Sequence, residues 1–288
     1  MSTLLGSGLE EIGLAVFTAL APSGALAYAI LVIFSLVASR APEDLMRLRR
    51  YLIIPLGVAM VGFVSSAFQL GTPANALYVF FGAGRSPMSN EVFAAVLFLG
   101  MAGINWIACF SDRLSTLVSR VWLMIIAIAA VVSVRMISVV YAAPTIPTWN
   151  APLTPAVIWS LALSGGPLLA FVTLRSAGFS SFHVLNRALL ALSLISMLAS
   201  CVLLLSWFES IAALSNSFVT AAQLSPSHSL IIALFVLLGA IGLAFSIRAK
   251  SASANRAIPL AAVGAALMLL GILFVRVDFY SMYMTVGF

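Results

Sequence analysis

The chain has 288 residues, of which 63% are hydrophobic and only 8% charged, and its mean hydropathy is +1.17. This composition excludes an ordinary soluble domain and indicates a membrane protein. Lys and Arg exceed Asp and Glu by 14 to 8. We interpret this excess as a signal of membrane topology and not of nucleic-acid binding, because the basic residues are confined to particular gaps between hydrophobic stretches.

Eight hydrophobic stretches reach the length of about 20 residues that a helix needs to cross a bilayer. They predict an all-α, polytopic protein with a single integral membrane domain over residues 1–288. The predicted spans are Leu14–Ala38, Tyr51–Leu70, Val92–Phe110, Val121–Tyr141, Pro155–Leu174, Ala188–Phe208, Leu230–Ile247 and Ala257–Val275.

The basic residues alternate between the gaps. Eleven of the fourteen fall in the first, third, fifth and seventh gaps. Short loops rich in Lys and Arg stay in the cytoplasm, so both termini are predicted on the outer, periplasmic side of a bacterial cytoplasmic (inner) membrane. Met1 to Glu11 lacks the basic start of a cleavable signal, so the first span is expected to remain. The eleven residues are Arg40, Arg47, Arg49, Arg50, Arg113, Arg120, Arg175, Arg187, Arg248, Lys250 and Arg256.

Redox ligands are sparse. His183 and His228 both fall in predicted loops, which argues against a haem held between two histidines on the spans. Cys109 and Cys201 are isolated, which argues against an iron–sulfur cluster. We therefore expect no metal, haem or cluster in this protein.

Gln69 lies at the end of the second predicted span, and the gap that follows ends at Ser89, Asn90 and Glu91. Ser89 or Asn90 can cap the third span, which would leave Glu91 in its first turn beside the helix dipole. Alternatively, Glu91 is desolvated at the membrane boundary and passes protons. Arg135 lies inside the fourth span, where a charge is costly unless it is paired or hydrated, and Glu91 is a candidate partner.

Aromatic residues mark two further outward segments. One is a proline-rich loop that contains Pro147 and Trp149, and the other is the C-terminal segment with Tyr280 and Tyr283. Both segments are typical of interfacial anchors. A rigid loop would also suit the docking of a soluble subunit, because it loses little entropy on binding.

Four motifs in this order carry a resemblance to a known family. They are Gln-Leu-Gly-Thr-Pro from Gln69 ahead of Ser89 to Glu91, Pro-Thr-Trp from Pro147, Gly-Gly-Pro-Leu-Leu from Gly165, and Met-Thr-Val-Gly from Met284. Over essentially its whole length the protein resembles the membrane anchor subunit of dimethyl sulfoxide reductase. The resemblance implies an eight-helix anchor that takes menaquinol as its substrate in anaerobic respiration. The electrons would pass to an iron–sulfur subunit and then to a molybdopterin catalytic subunit.

The resemblance also implies site residues. The quinol site would comprise Gln69, Ser89, Asn90, Glu91, Arg135 and Tyr141, with Glu91 as proton acceptor, and Pro147, Trp149, Tyr280 and Tyr283 would contact the docked subunit. Family members carry a histidine where this protein has Gln69. A glutamine amide can hydrogen-bond a quinol oxygen but cannot accept its proton, so that role would pass to Glu91 or to water.

Two other functions stay open at this point. Because of Gln69, the protein could be a purely structural anchor that does not oxidise quinol. A secondary transporter could use broken helices at Gly165–Pro167 or Pro22–Gly24, although the sequence has no obvious internal repeat and little charge within its spans.

Overall fold

The computed structural model describes residues 6–38, 41–68, 73–110, 116–179 and 182–284. Over these residues the fold is all-α, and the predicted eight spans are confirmed. Two 3-10 helices, Gly6–Leu9 and Pro73–Gly82, accompany the α-helices. The α-helices are α1 (Ile12–Val37), α2 (Pro42–Tyr51), α3 (Ile53–Ala67), α4 (Pro87–Ala108), α5 (Thr116–Val140), α6 (Thr154–Ser176), α7 (His183–Ile211), α8 (Ala221–Leu224), α9 (His228–Ser251) and α10 (Ala254–Ser281).

The second span is longer than its hydrophobic stretch. It runs over Glu43–Ala67, with α2 and α3 separated only at Leu52. Glu43 and Asp44 lie in the first turn of α2, while Arg49 and Arg50 lie in its last turn. This arrangement complements the helix dipole. Arg47, Arg49 and Arg50, which were predicted in the first loop, therefore lie within a helix, whereas Arg40 lies outside the described residues.

Helices α1 and α6 form the centre of the bundle. Of their most apolar stretches, 67% and 89% are buried, against 28–44% in the other six spans. Glycines bring the backbones together, as is common in membranes, where no hydrophobic effect drives helices against each other. A Cβ added at Gly24 of α1 would lie 2.7 Å from the Pro55 carbonyl oxygen of α3, and one added at Gly165 of α6 would lie 2.8 Å from Ser23 Oγ.

Both prolines at the centre lie inside continuous helices. Pro22 is within α1 and Pro167 within α6. The helix breaks that the transporter alternative would need at these positions are therefore absent from α1 and α6. Ser23 Oγ and Ser164 Oγ donate to the carbonyl oxygens of Ala19 and Ser160 nearby, both at 2.8 Å, which keeps these hydroxyls satisfied inside the bundle.

The first and last described segments of the protein meet at one end of the bundle, which we call the termini end. There the first 3-10 helix packs on α10, with Gly8 against the backbone of Val277 and Ser281. The opposite end, which we call the basic end, holds α2 and the last turns of α6 and α9 with Arg175, Arg248 and Lys250. The periplasmic location of the termini end remains a prediction from the charge count.

Candidate functional site

The site at the termini end begins with the first turn of α4. Ser86 is the N-cap and Pro87 the first helical residue, as suits a residue without an N–H. The expectation that Ser89 or Asn90 caps this helix is therefore wrong, since both lie within it. Asn90 Oδ1 instead accepts a hydrogen bond from the Gly84 amide at 2.6 Å, where Gly84 adopts a φ of 83°. These residues hold the turn that precedes the helix.

Glu91 follows directly and points inward. Its side chain is only 4% exposed, and its Oε1 is buried with no hydrogen-bond partner among the described residues. A buried carboxyl oxygen without a partner is costly and rare, and within a membrane span it usually marks a functional site. The expectation that Glu91 lies in the first turn beside the helix dipole is wrong, because α4 begins at Pro87 and no acidic residue lies in its first turn.

The carboxyl group lines a cavity of about 280 Å³. Its walls come from α1, α3, α4, the second 3-10 helix and the loop after α5, and they are mostly apolar. The lining residues are Leu14, Phe17, Phe63, Ser66, Ala67, Val79, Phe80, Met88, Glu91, Val92, Val96 and Tyr141. We call this space the Glu91 cavity.

The Glu91 cavity reaches the lipid-facing surface of the bundle. Met88 is 61% exposed, and Phe80 and Val96 are also exposed. An apolar molecule dissolved in the bilayer can therefore approach from the side, while the polar groups of Glu91 and Tyr141 lie further in. The volume suits a ring-sized headgroup, with any long hydrocarbon tail left in the lipid.

Tyr141 is the second predicted quinol residue that the structure brings to this cavity. It is buried, and it lies close enough to Glu91 for the carboxylate charge to act on it. Burial raises the pKa of the Tyr141 phenol above its usual value of about 10. A phenol with its usual pKa of about 10 is already protonated near neutral pH, so the hydroxyl can serve as a hydrogen-bond donor.

The other predicted residues have different positions. Arg135 is exposed on α5. Although both residues are described, no ion pair joins Arg135 to Glu91. The structure therefore does not place Arg135 at the cavity, because the rotation of α5 directs it elsewhere. Gln69 lies outside the described residues, so its role in the quinol site stays a prediction.

The structure instead places Arg276 behind Tyr141, a residue that the sequence analysis did not assign to the site. Helix α10 continues past the predicted end of the eighth span at Val275, so Arg276 lies inside a helix and is only 1% exposed. Its Nε donates to Thr18 Oγ1 at 2.8 Å, and its guanidinium carbon lies 5.6 Å from the Tyr141 ring centroid. The sequence signal that could have indicated this position of Arg276 is its i, i+4 spacing from Tyr280, which places both side chains on one face of a helix.

The four predicted docking residues divide into buried and accessible groups. Trp149 is buried and stacks on Phe279 at 5.3 Å, and Tyr280 is also buried. These two rings tie the loop after α5 to α10. Tyr283 is 50% exposed and Pro147 is partly exposed. Only the last two residues are accessible to another protein at the surface.

The two histidines were expected in loops, and this is wrong, since His183 begins α7 and His228 begins α9. His228 is buried, with Nδ1 2.5 Å from Asp278 Oδ2 on α10. Ser225 Oγ donates to the other carboxyl oxygen of Asp278. Within the described part of the protein, no group of three His, Cys, Asp or Glu residues is placed to hold a metal ion.

Comparison with known proteins agrees with this architecture. Residues 5–282 match the profile of the family described as DMSO reductase anchor subunit (DmsC). The protein belongs to this family. It is 29% identical over 284 residues to the C subunit of anaerobic dimethyl sulfoxide reductase from Escherichia coli (strain K12), and the match covers 98% of both sequences.

Two further relatives have the same extent. The YnfH subunit of an Escherichia coli (strain K12) anaerobic dimethyl sulfoxide reductase is 27% identical, and the C subunit of the Haemophilus influenzae enzyme is 25% identical. Each match covers 98% of both sequences. The family resemblance inferred from the four motifs is confirmed, and the protein is a multi-pass membrane anchor subunit of the DMSO reductase type.

Proposed function

We propose that this anchor subunit oxidises a quinol, most simply menaquinol, in the Glu91 cavity and passes the electrons to an iron–sulfur subunit. The observation that carries the proposal is the buried, unpartnered carboxyl oxygen of Glu91 in a cavity open to lipid. A quinol is itself an apolar molecule with two polar hydroxyls. It therefore matches a cavity with apolar walls and a few polar groups deep inside.

The chemistry needs a proton acceptor and an electron acceptor. Oxidation of one quinol to a quinone releases two protons and two electrons. Glu91 accepts a proton from a quinol hydroxyl, and the Tyr141 hydroxyl donates a hydrogen bond to the quinol oxygen. Both residues line the same cavity. After each transfer Glu91 releases its proton at the termini end, which the charge pattern predicts to be periplasmic.

In this proposal the electrons leave to a partner subunit. A short aromatic path leads from the cavity wall to the surface. Tyr141 lies 6.4 Å from Trp149, and Trp149 lies 5.5 Å from the half-exposed Tyr283, measured between ring centroids. We place the iron–sulfur subunit over Tyr283 and Pro147, from which the electrons continue to a molybdopterin catalytic subunit. The terminal acceptor is reduced there and not in this anchor.

The test is Glu91→Gln in the assembled complex. This change keeps size and hydrogen bonding but removes proton acceptance, and a positioned base typically contributes about 10²–10⁴-fold. We expect quinol-dependent turnover to fall at least tenfold, while turnover driven by a dye that reduces the soluble subunits directly stays unchanged.

The matched control is Glu209→Gln, which alters an exposed carboxylate near the same end of the bundle. It should leave both activities unchanged. Normal quinol turnover in Glu91→Gln would contradict the proposed site, whereas an absence of quinol turnover in the unsubstituted complex would favour the second candidate, a structural anchor that only tethers its partners.

A further inference from the structure

Arg276 is a buried cation without a described carboxylate partner. Its Nε donates to Thr18 Oγ1 and its Nη2 to the Tyr280 hydroxyl at 3.4 Å, whereas Nη1 is buried with no hydrogen-bond partner among the described residues. The guanidinium lies against aromatic faces, with its carbon 4.2 Å from the centroid of Phe279 and 5.2 Å from that of Tyr280. Cation–π contacts partly offset the loss of water, but an apolar residue would fill this space at lower cost.

The comparison with Arg175 shows that burial alone does not explain this arrangement. Arg175 is also buried within a span, but it lies at the basic end and donates to the Ala249 carbonyl oxygen at 2.9 Å. It thereby joins α6 to the last turn of α9. Arg276 makes no such bond to a backbone carbonyl among the described contacts, and its neighbours are hydroxyl and aromatic groups.

The neighbours of Arg276 lead to the Glu91 cavity. The Tyr141 ring lies 5.7 Å from the Tyr280 ring and 5.6 Å from the guanidinium carbon. Tyr141 lines the cavity beside Glu91. A fixed positive charge therefore lies next to Tyr141, which lines the cavity together with Glu91.

We propose that Arg276 is a positioning residue of the quinol site, whose charge orients Tyr141 and strengthens its hydroxyl as a hydrogen-bond donor to the reacting quinol oxygen. The inference rests on the proposed quinol oxidation. When the quinol O–H proton moves to Glu91, negative charge develops on that oxygen. A donor backed by a buried cation stabilises this charge more than an isolated phenol does. Electrons then leave to the iron–sulfur subunit, so protons and electrons balance as for the overall oxidation.

The test is a double-mutant cycle between Arg276→Gln and Tyr141→Phe, measured as kcat/KM for a short-chain naphthoquinol in the assembled complex. Removal of one donor to a developing oxyanion typically costs about 10²–10³-fold, and we expect Tyr141→Phe to approach the lower figure. Arg276→Gln alone should lower kcat/KM about tenfold. In the Tyr141→Phe background it should lower it less than about twofold, because the hydroxyl through which it acts is gone.

Arg175→Gln is the matched control, since it removes a buried arginine from the basic end. Any effect it has should be the same in both backgrounds. An equal loss from Arg276→Gln in both backgrounds would overturn the inference, because a general structural role predicts independent effects. Dye-driven turnover measures the soluble subunits in every variant and should stay unchanged.

Two outcomes separate the inference from the proposed function. If Glu91→Gln impairs quinol turnover while Arg276→Gln does not, the inference alone fails. If Glu91→Gln and Tyr141→Phe both leave quinol turnover intact, the proposed function fails as well. Should Arg276→Gln prevent assembly, Thr18→Val keeps Arg276 but removes the hydroxyl that accepts its 2.8 Å hydrogen bond, donates to the Leu14 carbonyl oxygen and lies 3.4 Å from the Tyr280 hydroxyl. Thr18→Val should then lower kcat/KM less than Arg276→Gln would, and the loss should again depend on the presence of the Tyr141 hydroxyl. An equal loss in both Tyr141 backgrounds, or no loss, would overturn the inference.

Discussion

The two ends of the bundle use charge differently. At the basic end, Arg47 forms a 2.7 Å ion pair with Asp44 in which the two side chains are 52% and 35% exposed. At the termini end, Arg276, Glu91, Asp278 and His228 are all buried. An exposed charge costs little and retains a loop in the cytoplasm, whereas a buried charge must have a specific local role to offset its desolvation. We therefore expect the ionisable residues most important for chemistry at the termini end, although the basic end has more ionisable residues.

The largest expected contrast between the ends is accessibility from outside the cell. Thr145 and Ser217 are exposed at the termini end, and Ser253 is exposed at the basic end. In a variant without Cys109 and Cys201, a cysteine at 145 or 217 should react with an impermeant maleimide in sealed cells, whereas one at 253 should not. Ser115, another basic-end position, lies outside the described residues. Labelling at 253 but not at 145 would reverse the predicted orientation.

A smaller but substantial contrast concerns stability. Asp278→Ala should leave the His228 imidazole and the Ser225 hydroxyl without their buried partner. Leaving a buried polar group without its hydrogen-bond partner typically costs about 1–3 kcal/mol. We expect a clear fall in the unfolding free energy of the detergent-solubilised complex, measured by denaturant titration. A change of less than about 1 kcal/mol would show that the pair contributes little.

The smallest expected effect is that of Asp44→Ala at the basic end, which removes the exposed ion pair with Arg47. Exposed pairs contribute about 0–1 kcal/mol, so unfolding and quinol turnover should both stay close to wild type in the same assays. A loss as large as that of Asp278→Ala would remove the distinction between the two ends.

The sequence placed Glu91 and Tyr141 at one site, and the structure brings both to one cavity. It did not identify Arg276, because the apolar stretch ends at Val275 while the helix continues to Ser281. It assigned Arg135 to the site, although that residue is exposed. It also treated Trp149 and Tyr280 as docking residues, yet these rings pack inside the bundle. Aromatic residues near an interface have the same sequence pattern whether they face lipid, a partner or their own bundle.

The sequence by itself determined that this protein is an eight-span, all-α membrane protein, because the length and apolarity of each stretch depend only on residues adjacent along the chain. Only the tertiary structure decided which polar groups meet. Hydropathy does not report how each helix is rotated about its axis or which helices are neighbours. Close glycine contacts place α1 between α3 and α6. That packing brings Thr18 of α1 against Arg276, and Arg276 against the tyrosine that faces Glu91.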